Sequence, residues 1–315
     1  MGVANIARRS VIPAIKALPE QFELVAIASR SAEKAAAAGR EFGCDAVVGY
    51  ANLLAVHDVD ALYVPLPTGL HQEWVNAALA AGKHLYVEKS IAANFPDAEA
   101  MVANASQSNR ALMEGFMFQY HSQHRIVFEL LENGAIGKLR HFAASFGFPP
   151  LAASDFRYDR AVGGGALLDA GGYTVRATHF LLGDRMRVRG ATLHVDPERQ
   201  VDTYGSAFLA DESGLGASVA FGFDQSYQCR YELWGSAGKI TATRAFTPGP
   251  TSRPQIIVET AAGAKVVDAE PDNHFINALL EFKRAIDAVE IRQKHYRDIL
   301  LQSSTLEAIR TLGTP

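Results

Sequence analysis

A doubly wound α/β domain, followed by an α+β domain with a large, mainly antiparallel open sheet, is the fold class this sequence predicts. Three observations carry it. Up to about residue 115, short apolar or β-branched runs alternate with alanine-rich, helix-like segments, the pattern of a parallel sheet with crossover helices. Beyond Gly115 the runs alternate apolar and polar residues, as strands with one covered face do. The length, 315 residues, exceeds one domain of roughly 150 residues, and the boundary is placed between a first domain, 1–118, and a second, 119–315.

In chain order, strands are expected at Phe22 to Ser29, Ala46 to Gly49, Ala61 to Leu66, His84 to Val87 and Ala111 to Gly115. Helices are expected near Arg8 to Leu18, Ala32 to Phe42, Leu70 to Ala81 and Asp97 to Ser108. Gly82 supplies a left-handed stop after the third helix, and Asn94 with Pro96 marks the start of the fourth. The second domain opens with a helix at His121 to Glu132. Its strands are Leu139 to Phe146, Val188 to Val195, Thr203 to Leu209, Ala217 to Phe223, Tyr231 to Trp234 and Gln255 to Glu259. Helices at His274 to Val289 and His295 to Thr311 close the chain.

Composition narrows the function. Hydrophobic residues make up 48% and charged residues 20%, an ordinary globular balance that excludes disorder, collagen and coiled coil as the main architecture. Thirty Lys and Arg against 34 Asp and Glu give a net charge of −4, no field for a nucleic acid backbone. Cys44 and Cys229 have no metal-ligand spacing, so neither a disulfide framework nor a zinc site is expected. No apolar run approaches the roughly 18 residues of a membrane span. A cytoplasmic protein with neither nucleic acid nor membrane as partner is expected.

Gly2-Val3-Ala4-Asn5-Ile6-Ala7 has the spacing of a G-x-G-x-x-G/A fingerprint, with Ala4 in place of the second glycine. Small residues there let the backbone approach a pyrophosphate at a helix N-terminus, although the hexapeptide alone also fits small-residue packing. The next strand ends in Ser29-Arg30, without the carboxylate that reads a ribose diol. A hydroxyl and a guanidinium fork suit a 2′-phosphate, which favours NADP(H) while leaving NAD(H) possible. A solvated arginine opening a helix is the plainer alternative. The fingerprint should follow a strand, yet it begins at residue 2, so the first strand of the sheet is expected to lie upstream, within roughly five to ten further residues.

Three further segments complete a pattern: Val64-Pro65-Leu66-Pro67-Thr68-Gly69-Leu70-His71, Tyr86-Val87-Glu88-Lys89-Ser90, and Gly163-Gly164-Gly165-Ala166-Leu167-Leu168-Asp169-Ala170-Gly171-Gly172-Tyr173. In order and spacing, over nearly the whole chain, they resemble the glucose-fructose oxidoreductase, inositol dehydrogenase and MocA family. The resemblance implies a Rossmann domain, a nicotinamide cofactor and hydride transfer at a sugar carbon. Where the family places Glu-Lys-Pro beside the nicotinamide, this chain reads Glu88-Lys89-Ser90 and keeps the lysine. It implies a cofactor site drawn from Gly2, Ala4, Asn5, Ile6, Ala7, Ser29, Arg30, Pro65, Leu66, Thr68, His71, Glu88 and Lys89.

The family's second catalytic group is a His or Tyr four residues after an Asp, which Asp169 and Tyr173 match. On a helix that spacing projects both side chains from one face. The resemblance implies that Tyr173 acts as general acid, that Lys89 stabilises the developing negative charge and that Asp169 orients Lys89 or the substrate. Taken singly, these residues also fit a surface lysine, a core aromatic and a helix cap. Within the family the chain is similar to sugar 3-ketoreductases acting on nucleotide-linked keto sugars with NADPH. That likeness rests on Met113-Glu114-Gly115-Phe116-Met117-Phe118, His121, Gln123-His124-Arg125, Phe142 to Phe146, Pro149-Pro150 and Phe246-Thr247-Pro248.

Substrate contacts are expected from Met117, His121, Gln123, Phe156, Arg157, Asp169 and Tyr173, with Tyr120 and Tyr158 as further rim aromatics. Arg157, Arg160 and Arg176 are the candidates for a diphosphate. His121 and His124 lack further metal-ligand companions, so no metal is expected. Free-aldose (xylose-type) or dihydrodiol oxidation, or a non-catalytic sensor of NADP and sugar, are the other readings. Family resemblance also implies a homodimer or homotetramer through the second domain's sheet.

Overall fold

The computed structural model describes residues 1–314. The chain divides into two compact units, one of Met1–Gly115 with Phe275–Ser303, the other of Phe116–His274 with the chain from Ser304 on. Residues 275–303, expected with everything after 118, thus fall within the first unit.

In the first unit β1 (Ala26–Ser29) pairs in parallel with β2 (Asp45–Val48), and β3 (Ala61–Val64), β4 (His84–Val87) and β5 (Leu112–Glu114) form a separate parallel group. Among the described residues, no ladder joins β1 to β3. A doubly wound sheet places its first strand between those two edges, where the sequence left one lacking. β1 is shorter than expected, because its partner β2 has only four residues to offer.

A π-helical turn, Ala7–Val11, runs into α1 (Ile12–Lys16); α2 (Ala32–Phe42), α3 (Tyr50–Leu54), α4 (His71–Ala80) and α5 (Phe95–Gln107) follow. Their ends have local causes. Ser31 caps α2 by accepting the Lys34 amide, and Asn94 caps α5 by accepting the Asp97 amide at 2.9 Å. Val64, Leu85, Val87, Leu112, Val75 and Met101 are fully buried between the layers. α8 (His274–Asp287) and the first part of α9 (Val289–Gly313) add to this unit. Arg292 fastens them, donating to the carbonyls of Ala285, Ile286 and Asn109 at 3.1, 2.9 and 2.8 Å.

The second unit is built on eight strands: β6 (Leu139–Gly147), β7 (Arg187–Val195), β8 (Asp202–Ala210), β9 (Gly216–Gly222), β10 (Gln228–Gly235), β11 (Gly238–Ala242), β12 (Gln255–Thr260) and β13 (Gly263–Asp268). Their order is β13-β12-β11-β10-β6-β9-β8-β7, antiparallel throughout except for the parallel β6–β9 pair. α6 (Gln123–Glu132) precedes the sheet, and α7 (Gly172–Leu182) packs on β6 and β9. Alternation sorts the faces. Phe142, Phe146, Val219, Phe221, Tyr231 and Leu233 are buried. The opposite face carries Ser145, Thr192, Ser206 and Ser218, with Phe208 and Trp234 45% and 60% exposed. β11 and β13 and the short α3 were not expected from the sequence.

Candidate active site

Gly2 has φ +87°, a backbone open to glycine at little cost. Its N–H donates to the Ala28 carbonyl at 2.8 Å, and helical backbone begins at Asn5, with the Arg8 amide bonded to the Ala4 carbonyl at 3.1 Å. The amides of Asn5, Ile6 and Ala7 thus belong to a first helical turn, where N–H groups lack intrahelical acceptors and suit an anion. At the end of β1 the buried Ser29 hydroxyl accepts the Ser31 amide at 3.2 Å, which leaves its own proton to donate, and Arg30 is exposed. These residues fit a dinucleotide with a 2′-phosphate, and no carboxylate stands at this strand end to repel one.

Pro65 and Leu66 are buried at the end of β3, and Thr68 opens a 3-10 turn leading into α4. His71 lies behind them, fully buried, its Nε2 2.8 Å from the Leu66 carbonyl and its Nδ1 3.1 and 3.0 Å from those of Ser90 and Ile91. Burial lowers its pKa, so the neutral ring acts as a brace on the loop after β4. Glu114 braces the same loop, accepting the Ile91 amide at 2.8 Å. Lys89, half-buried, sits in that loop, and its bond to Ser90 is cis. Glu88 accepts a hydrogen bond from the Tyr63 hydroxyl at 2.5 Å. His71 was expected among the cofactor contacts, and Glu114 was not singled out for a role.

In the second unit a π-helical turn, Leu167–Gly171, carries Asp169 and runs directly into α7, which carries Tyr173. The tyrosine ring is caged by Phe116, Phe118, Phe146 and Phe246 at centroid distances of 5.5, 5.9, 4.9 and 5.8 Å. Its hydroxyl points to the Met117 sulfur at 3.7 Å. Four aromatic walls leave the ring little freedom, so its oxygen is held in one place.

Arg157 Nε donates to Asp169 Oδ2 at 2.7 Å, and its Nη1 to Asp155 Oδ1 at 3.2 Å. The glycine run explains how a loop residue reaches the helix. Gly164 passes so close to the 157–159 turn that a Cβ would lie 2.5 Å from the Arg157 carbonyl, while the Gly164 and Gly165 amides donate to the Asp159 and Arg157 carbonyls, both at 2.9 Å. Two carboxylates meet the Arg157 charge, which suits it less to a diphosphate than the sequence suggested. Arg176, buried, donates to Gln119 Oε1 at 2.9 Å; Arg160 and Phe156 are exposed.

Gln123 is fully buried, its amide donating to the carbonyls of Arg244 and Ala245 at 3.2 and 3.4 Å. His121 Nδ1 accepts the Gln123 amide at 3.1 Å. His124 bonds the Tyr231 hydroxyl at 2.8 Å. Burial lowers the pKa values of all three neighbouring histidines, to about 3 at His124 and about 4 at His274. Gln123 and His124 therefore tie helix to sheet. Among the described residues, no group of three or more His, Cys, Asp or Glu is placed to hold a metal.

Residues 1–116 match the model of an oxidoreductase family with an NAD-binding Rossmann fold, and residues 124–241 match the Gfo/Idh/MocA C-terminal domain. The dTDP-3,4-didehydro-2,6-dideoxy-α-D-glucose 3-reductase of Actinomadura kijaniata is 40% identical over 311 residues, covering 99% of this chain and 93% of its own. The D-xylose 1-dehydrogenase (NADP(+)) 2 of Haloferax volcanii is 32% identical, covering 98% and 94%.

A solved structure of a 3-ketoreductase from A. kijaniata with NADP and TDP-benzene superposes with a TM-score of 0.95 at 40% identity, covering 98% of this chain and 95% of that one. Further structures of that enzyme carry a tyrosine-to-phenylalanine and a lysine-to-alanine replacement. The two replaced positions are as far apart in sequence as Lys89 and Tyr173, each numbered higher by the same amount. With both domain models matched in order and relatives similar along the whole length, the chain belongs to the Gfo/Idh/MocA family of oxidoreductases.

Proposed function

We propose that this protein is an NADPH-dependent reductase of a ketone on a nucleotide-linked sugar, with Tyr173 as proton donor and Lys89 as the cationic partner of the reacting oxygen. The observation that carries the reading is the caged Tyr173 hydroxyl one helical turn beyond an Asp169 held by Arg157. The similarity to a 3-ketoreductase whose structure holds NADP and TDP-benzene supports both cofactor and substrate class. So do the Lys and Tyr positions replaced in that enzyme, which share the spacing of Lys89 and Tyr173.

Gly2 to Ala7 would hold the pyrophosphate of NADPH and Ser29 and Arg30 its 2′-phosphate, and the bound cofactor would supply the hydride. As the carbonyl carbon gains that hydride, the π-electron pair moves onto oxygen, which takes the Tyr173 proton. A free phenol of pKa about 10 gives up its proton reluctantly near neutrality. The Lys89 ammonium offsets this by stabilising negative charge on phenolate and alkoxide. Asp169, fixed by Arg157, orients Lys89 or the substrate.

The open sheet face around Ser206, Phe208 and Ser218 supports self-association into a homodimer or homotetramer, and the two unpaired cysteines suit a cytoplasmic setting. The test is NADPH oxidation at 340 nm with a dTDP-linked 3-keto sugar and, in parallel, NADP reduction with D-xylose. Turnover of the first far above the second is the expected result. Turnover of xylose alone overturns the substrate class, and NADPH binding without turnover of either overturns the catalytic reading.

A further inference from the structure

Among the described residues, Ser31 and Asn94 cap α2 and α5 from just ahead of each helix, but the helix that carries Asp169 and Tyr173 has no such side chain. Gly163-Gly164-Gly165-Ala166 leads into it, and Ala166 makes no side-chain cap bond. The first amides of a helix need acceptors all the same. Here the acceptor comes from the sheet. Asp202, the first residue of β8, takes the Leu167 amide on Oδ2 at 2.5 Å, and the Ala166 amide bonds the same carboxyl group. Burial raises the pKa of Asp202, and these two amides with the Arg310 charge work against that rise. So close an approach depends on Gly165, where φ is +122° and a Cβ would lie 2.3 Å from Asp202 Oδ1. The glycine run therefore has two uses: Gly164 admits the Arg157 turn, and Gly165 admits the carboxyl group of Asp202.

What Asp202 holds is a π-helical turn. Leu167–Gly171 winds more widely than the α-helix that follows it, and such turns occur mostly as single inserts in α-helices. Asp169 lies inside the wide turn, and Tyr173 is the second residue of α7. The angle between their side chains about the helix axis is therefore set by this winding. Each residue of an α-helix turns it by about 100°, so losing the inserted residue from the turn would swing Asp169 by about that angle relative to Tyr173. Both ends of the turn are pinned to the sheet. Gly171 lies so close to Phe221 on β9 that a Cβ would stand 3.1 Å from its ring, and Asp202 on β8 holds the start.

We propose that Asp202 is a positioning residue for the reaction: by accepting the first amides of the helix from β8, it fixes the winding of Leu167–Gly171 and with it the placement of Asp169 and of the Tyr173 hydroxyl. Its part is distinct from that of Arg157, which holds the Asp169 side chain and not the backbone. The inference rests on the reading of Tyr173 as proton donor, because the placement of its hydroxyl governs turnover only if that hydroxyl delivers the proton.

The test compares Asp202→Ala, Asp202→Asn and Tyr173→Phe with the unaltered chain, in steady-state kinetics with NADPH and a dTDP-linked 3-keto sugar. Each protein is also made with isotope-labelled tyrosine, and the Tyr173 resonance is assigned by its loss in Tyr173→Phe. Asp202→Ala is expected to lower kcat by about 10- to 100-fold, with NADPH affinity and the KM of the sugar near wild type, and to split or broaden the Tyr173 resonance. Asp202→Asn keeps a side-chain oxygen that accepts an amide, and is expected to recover most of kcat and one sharp resonance. Turnover lost in Tyr173→Phe and kept in Asp202→Ala overturns this proposal alone, whereas turnover kept in Tyr173→Phe overturns the proton-donor reading and the role of Asp202 with it. An Asn variant as slow as the Ala variant also overturns the proposal, as does a loss of kcat matched by an equal loss of NADPH affinity. If Asp202→Ala does not fold, Asp202→Leu, which deletes the acceptor and keeps bulk, takes its place beside hydrogen exchange of the unaltered chain. Exchange of the Leu167 amide as slow as that of Val175 supports the proposal, and exchange like that of an exposed loop overturns it.

Discussion

Arg157 Nε and Asp169 Oδ2 lie 2.7 Å apart, twelve residues apart in sequence, and join a loop arginine to the turn of helix that leads into Tyr173. Asp155 holds the same guanidinium from the other side at 3.2 Å, so the arginine is clamped between two carboxylates and the aspartate it steadies has little freedom to turn.

Removing that clamp is expected to slow turnover without touching the cofactor. Arg157→Ala should lower kcat by roughly 10- to 100-fold, the scale of a small misplacement at a reacting centre, with NADPH affinity unchanged. Arg157→Lys should recover part of the loss. Steady-state kinetics with NADPH titration checks both; a lowered NADPH affinity with unchanged kcat would contradict the placement.

Tyr173→Phe keeps the ring that the four phenylalanines enclose and deletes only the hydroxyl. Turnover should fall by about two to four orders of magnitude, the usual span for loss of a general acid. Melting temperature and NADPH binding should stay near wild type, measured by scanning calorimetry and nucleotide fluorescence.

Arg30→Ala should weaken NADPH binding by about tenfold or more and leave NADH binding nearly as it was, since charge-assisted hydrogen bonds contribute roughly 1.5–3 kcal/mol. Fluorescence titration with the two nucleotides separates this from a general loss of folding, which would weaken both.

Acid should destabilise the second unit through its buried histidines. Burial holds His124 near pKa 3 and His274 near 4, whereas in the unfolded chain both titrate near 6.5. As pH falls below about 6.5 the unfolded state binds protons the native state refuses, so stability declines down to about pH 4 for His274 and about pH 3 for His124, and is recovered on return to neutrality. Denaturant midpoints at pH 7, 5.5 and 4.5 should fall in that order, and His124→Gln should flatten the trend.

Much of this was legible in the residues. α2 spans Ala32–Phe42 as expected, because Ser31 and Gly43 supply both of its ends locally, and β4 matches over His84–Val87. The parallel half was readable from apolar runs alternating with helix-like segments, and the antiparallel half from strands that alternate apolar and polar residues. β13 was not, since most of it is exposed and its alternation has no apolar face to reveal it. α3 is five residues long, too short for a helical period.

At the site, the same distinction holds. The glycine run and the Asp169–Tyr173 spacing are local, so they could be read. The bond from Arg157 to Asp169 is not, because it depends on how a loop folds back. His71 stood in an expected cofactor segment, yet its three carbonyl neighbours, on Leu66, Ser90 and Ile91, come together only in the folded loop. One signal was available for Glu114. A carboxylate inside an apolar strand must find a partner when buried, and the Ile91 amide is that partner.

The return of Phe275–Ser303 to the first unit governs how the gene can be cut. Tyr86 stacks on Phe282 with ring centroids 5.8 Å apart, and Arg292 reaches the Asn109 carbonyl, so a fragment ended at residue 115 would lose those partners. Chimaeras with relatives must therefore be spliced at three junctions, after Gly115, after His274 and after Ser303, if the nucleotide-binding half is to be exchanged whole.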